Sequence, residues 1–107
     1  MMETAGRLRL ATFNVESFGG DRAGSAATAA RLDALRDVIV PLAADVLCLQ
    51  EVNGQRPQGG GDRTLADLDQ LLDGTAFAGC QRVSAGLAGP VGDRHNLVVV
   101  SRLPIVA

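Results

Sequence analysis

The sequence predicts an α/β fold, and three observations carry that reading. Residues 8–15 have the look of a strand, Leu8, Leu10 and Thr12 alternating with Arg9, Ala11 and Phe13 before both faces turn apolar. Over residues 25–40, Ala29, Leu32, Leu35, Val38 and Ile39 fall at the three-and-four spacing of a helix with one buried stripe. Val46, Leu47, Cys48 and Leu49 are continuously apolar and too few for a helix, as in a strand covered on both faces. Strand, helix and strand in that order make a right-handed crossover, which aligns the two strands in parallel and brings their C-terminal ends to one edge of the sheet.

The connections support each element in turn. Glycines and polar residues over 19–24 interrupt the first strand, and Ser25 is suited to cap the helix that follows, since its hydroxyl can accept from an unpaired first-turn N–H. Pro41 predicts that this helix ends near Val40, because the ring disfavours helical backbone at the preceding residue. Residues 53–63, with Gly59, Gly60 and Gly61 in succession, read as a loop; the triplet lacks the lysine and hydroxyl of a nucleotide-binding phosphate loop. Thr64 and Asp67 resemble a capping box for a short helix whose buried stripe is Leu65, Leu68, Leu71 and Leu72, with Gly74 as its stop. A strand over 77–83, a connection over 86–93 and a strand over 97–100 complete the order, and residues 102–107 read as a chain entering one more strand.

At 107 residues, 47% hydrophobic and 21% charged, the chain suits one globular domain at most and is neither disordered nor collagenous in composition. No apolar run approaches the roughly 18 residues a membrane helix needs, and the first six residues do not resemble a secretory leader, so a cytoplasmic location is expected. All ten basic residues are arginine and the net charge is −2, so there is no basic footprint for nonspecific nucleic-acid binding. Single guanidinium groups can still grip phosphate bidentately. Cys48 and Cys80 lie in apolar surroundings and read as free thiols, since two cysteines make no disulfide framework.

Two polar residues close the two apolar strands. Glu51 follows residues 46–50 where a buried strand surfaces, and is placed either to hold a cation or to sit solvated at a strand end. Asn14, near the end of the first strand, is placed either to join Glu51 at a shared crevice or to cap the following turn. Asn53 and Asn96 are further candidates for substrate contact, whereas His95, just ahead of the last strand, reads as a strand-edge residue.

Residues 11–15 (Ala-Thr-Phe-Asn-Val), 44–52 (Ala-Asp-Val-Leu-Cys-Leu-Gln-Glu-Val) and 96–105 (Asn-Leu-Val-Val-Val-Ser-Arg-Leu-Pro-Ile) together resemble the endonuclease/exonuclease/phosphatase superfamily, the DNase I-like metal-dependent phosphoesterases. The middle segment is the specific one. The resemblance implies a four-layer α/β/β/α sandwich, of which residues 1–107 would be the N-terminal half of a single domain, the C-terminal half being absent. It implies hydrolysis of a phosphoester with a divalent metal, Mg2+ or Mn2+, on a nucleic acid, a phospholipid head group or an inositol phosphate. By the same resemblance Glu51 is the metal-binding glutamate and Asn14 the asparagine of the active-site hydrogen-bond network.

The resemblance also calls for a later aspartate and asparagine pair and for an aspartate and histidine pair that activates water. Neither is found in this sequence, and His95 does not match the catalytic histidine. The expectation for the isolated chain is therefore a phosphoesterase portion without turnover of its own, the alternative being a non-catalytic fragment or an interaction module completed by another chain.

Overall fold

The computed structural model of the chain describes residues 6–86 and 95–106. The chain runs β1 (Leu10–Phe18), α1 (Ala26–Leu42), β2 (Val46–Asn53), α2 (Ala66–Leu72), β3 (Gln81–Ala85) and β4 (His95–Ser101). The four strands form one mixed sheet in the order β1-β2-β4-β3. β1 and β2 are parallel, with Leu10 opposite Val46 and Asn14 opposite Gln50, so the crossover delivers both C-terminal ends to one edge. β4 runs antiparallel to β2 and to β3.

One face of the sheet is packed. Val15, Leu47, Leu49, Val98 and Val100 meet Leu35 and Ile39 of α1 and Leu68, Leu71 and Leu72 of α2 in a single buried cluster. Burying one such aliphatic side chain contributes roughly 1.5–3 kcal/mol, which makes this layer the main source of stability. The other face is open: Leu10, Val83, Leu97 and Val99 are all exposed there. One sheet and one helical layer are two of the four layers the resemblance implies, an arrangement consistent with part of a DNase I-like fold.

Several boundaries differ from those expected, each for a physical reason. β1 starts at Leu10, and its core-facing residues are Ala11, Phe13 and Val15 rather than Leu8 and Leu10, which are exposed. Ser25 caps α1 as expected, its Oγ accepting from the Thr28 N–H at 3.2 Å. The helix nevertheless continues through Pro41 to Leu42 and closes on Ala43 at φ 48°. Pro41 and Asp37 are both exposed, so water can take over the carbonyl that a proline in the last turn leaves without a donor.

Thr64 does not cap α2. It pairs through its backbone with Gln55, the N-cap is Leu65, and the Asp67 carboxylate turns away to accept from Gly20 N and Gly24 N, each at 2.9 Å. Two backbone N–H groups bound by a charged acceptor outweigh one local cap. The strand expected over 77–83 begins at Gln81, with Phe77 buried in the turn ahead of it. No strand forms over 102–106, and the connection expected over 86–93 lies, apart from residue 86, outside the described residues. Cys48 and Cys80 are free thiols.

Candidate active site

Strand periodicity alone would put Glu51 in the core. Leu47 and Leu49 face the helices, and a strict alternation would send residue 51 after them. It does not, because β2 carries an extra residue there: Leu49 pairs with Val98 and Val52 with Asn96, three steps on one strand against two on the other. Glu51 sits in this bulge at φ 61°, in the left-handed region, and the core-facing phase passes to Val52. A β-bulge re-aims a side chain in this way, and positive φ in a non-glycine residue costs of order 1 kcal/mol or more. The half-buried carboxylate is thereby kept out of the apolar layer.

β1 is irregular at the same level. Its pairing with β2 jumps from Asn14 opposite Gln50 to Phe18 opposite Val52, and the intervening Glu16 and Ser17 have φ of 53° and 55°. Asn14 stands just before the break on the open face. Its Oδ1 accepts from the Glu16 N–H at 2.7 Å, and its Nδ2 donates to Glu51 Oε2 at 2.6 Å. The two options for Asn14 are therefore realised together, since one side chain closes the turn with its oxygen and reaches the carboxylate with its nitrogen.

Beside this pair, Gln50, Glu51, His95 and Leu97 line a cavity of about 420 Å³. Gln50 is held by its own hydrogen bond to Thr12 Oγ1 at 2.8 Å. His95 is exposed, as a strand-edge residue should be.

Asn53, expected to contact substrate, is not among the residues lining this cavity, whereas Asn96, for which the same is expected, borders it. Both are nearly inaccessible, at 1% and 2% exposure. The Asn53 amide donates to Gly19 O at 2.8 Å and to Ser17 O and Ser17 Oγ at 3.1 Å. The Asn96 amide donates to Val52 O at 3.1 Å, against the bulge of β2. As placed, each braces one of the two irregular strand ends, because a buried carbonyl released from the ladder still requires a donor and the side-chain amide supplies it.

Sequence reasoning missed Arg31, whose Nη2 donates to Val15 O at 2.6 Å and Nη1 to Glu16 O at 3.1 Å. It also missed the buried relay in which Gln55 donates to Asn53 O at 2.7 Å and accepts from Asp67 N at 2.9 Å. No local pattern marks these residues, since their partners lie 12 or more positions away except for Asn53.

Among the described residues no group of three histidine, cysteine, aspartate or glutamate side chains gathers as a ready metal cage. The sequence pattern of the Endonuclease/Exonuclease/phosphatase family matches residues 11–107, which include all six elements but the first residue of β1. The chain belongs to that family. Hydrolysis of phosphoester bonds, generally with a divalent metal, is the general character of the endonuclease/exonuclease/phosphatase family. No curated protein sequence and no solved structure matches it.

Proposed function

We propose that the Asn14–Glu51 pair is the metal and phosphate end of a phosphoester hydrolase site, with Glu51 as the protein ligand of Mg2+ or Mn2+. The observation that carries this reading is the 2.6 Å hydrogen bond between the two side chains at the C-terminal edge of a parallel strand pair. The donor set suits such an ion. Magnesium takes oxygen ligands, keeps several waters, and is commonly held by one or two carboxylates plus substrate phosphate. Asn14 occupies one of the roughly four lone-pair positions of the carboxylate, so ligand capacity remains on Glu51. When bound, the cation supplies charge neutralisation for the phosphoryl and leaving oxygens.

The chain's own residues supply orientation. Asn14 holds the carboxylate in one rotamer, and its amide is fixed in turn by Glu16 N–H, so neither group has to be ordered when substrate arrives. Neither acts as the general base, because the amide does not titrate and the carboxylate is committed to the cation. The substrate remains one of three phosphoester classes: nucleic acid, phospholipid head group or inositol phosphate.

The test is Glu51→Gln, assayed for Mg2+-dependent hydrolysis of a generic phosphodiester such as bis(p-nitrophenyl) phosphate in a protein that turns it over. Turnover is expected to vanish with the fold retained; unchanged turnover removes Glu51 from this role.

A second reading is favoured by the open face, where Leu10, Val83 and Leu97 are each more than half exposed. Such a face suits a chain that works as a non-catalytic part of an assembly and is covered by a second sheet, as the family fold implies. Light scattering separates the readings: a monomeric chain with Mg2+-dependent turnover defeats the second.

A further inference from the structure

We infer that Arg31 is a positioning residue for the Asn14–Glu51 pair, acting through the irregular end of β1; the inference rests on the reading of that pair as the metal site. The register break between Asn14 and Phe18 takes the intervening carbonyls out of the β1–β2 ladder. Each must then find another donor. Arg31, reaching over from α1, donates to Val15 O and Glu16 O, and Asn53 donates from the other strand to Ser17 O and Gly19 O. The two side chains thus hold the backbone that carries the positive φ values of Glu16 and Ser17.

Arginine suits this task because its planar fork spans two neighbouring acceptors, whereas a lysine ammonium acts as a point charge. The group is further fixed by lying 5.7 Å from the centre of the Phe18 ring, itself fully buried. With Glu16 held at φ 53°, its N–H points back to Asn14 Oδ1. That bond decides the orientation of the amide, since the oxygen faces Glu16 and only the nitrogen is left to meet Glu51. Arg31 therefore reaches the carboxylate through three linked contacts while touching neither of the paired side chains.

The experiment combines NMR with metal binding on Arg31→Met and Arg31→Lys, using Mn2+ alone as the probe. In Arg31→Met the methyl signals of Leu47, Leu49, Val98 and Val100 should keep their positions. The Glu16 amide proton should exchange about tenfold faster, the Asn14 side-chain amide should move to solvent-like shifts, and Mn2+ affinity should fall about tenfold. Arg31→Lys retains the stem and one donor group and should fall between. Unchanged Glu16 exchange and unchanged Asn14 shifts in a folded Arg31→Met overturn the inference; if that variant does not fold, Arg31→Lys is judged by the same criterion. Absence of Mn2+ affinity in the unsubstituted protein would sink the metal-site reading instead, and the exchange measurement would still decide whether Arg31 orders Asn14.

Discussion

Glu51 is held in a conformation that costs free energy, and comparing two substitutions at this position measures that cost. Glu51→Ala and Glu51→Gly both remove the carboxylate and its hydrogen bond to Asn14, so their difference isolates the effect of a Cβ at φ 61°. An L-residue in the left-handed region costs roughly 1–2 kcal/mol. Glycine avoids this but loses about 0.5–1 kcal/mol more than alanine in chain entropy on folding. The balance makes Glu51→Gly more stable than Glu51→Ala by about 0.7 kcal/mol. At an ordinary strand position the sign is reversed, with alanine ahead by about 0.5–1 kcal/mol. Thermal unfolding followed by circular dichroism reads the difference as roughly 3–5 °C for a domain of this size. If Glu51→Ala melts at or above Glu51→Gly, the bulge does not strain residue 51 and the account of how the carboxylate leaves the core is wrong. Both variants should lose Mn2+ binding alike, since each removes the carboxylate.

Asp67→Ala should destabilise the fold by about 2–4 kcal/mol in urea titration, since Gly20 N–H and Gly24 N–H lose a buried charged acceptor. A cost below 1 kcal/mol would mean that water replaces the carboxylate. Gly19→Ala should cost more than about 2 kcal/mol, because Gly19 has φ +109° and an added Cβ would stand 2.5 Å from Gln55 Nε2, displacing the side chain that links Asn53 to Asp67. Chemical denaturation checks this, and a neutral outcome would show that the relay can shift without loss.

Much of the fold was legible because its signals are local. The alternation leading into Val15, the helical stripe through Leu35 and Ile39, the Ser25 cap and the apolar run at Leu47 and Leu49 each follow from the residues within one element, and together they entail a parallel pair. Glu51 and Asn14 were legible as candidates for the same reason: a polar residue ending an apolar strand stands out against its neighbours. The extent of β2 was not. A strand ending at Leu49 is what the apolar run suggests, yet pairing with β4 carries β2 on to Asn53.

The residues and their order determined the α/β class, the crossover and the identity of the two side chains that meet at its edge. Tertiary structure alone decided how they meet. Whether Glu51 faces core or crevice depends on one extra residue in a ladder whose other strand lies more than 40 positions away, and the Asn96 amide, buried by the alternation of its own strand, meets the bulge only because β4 is paired there. Asn53 became buried because the broken end of β1 left carbonyls in need of donors, and Arg31 came to the same end from a helix. Backbone groups released from a sheet must be bound by something, and which side chain is near enough is a property of the packed fold.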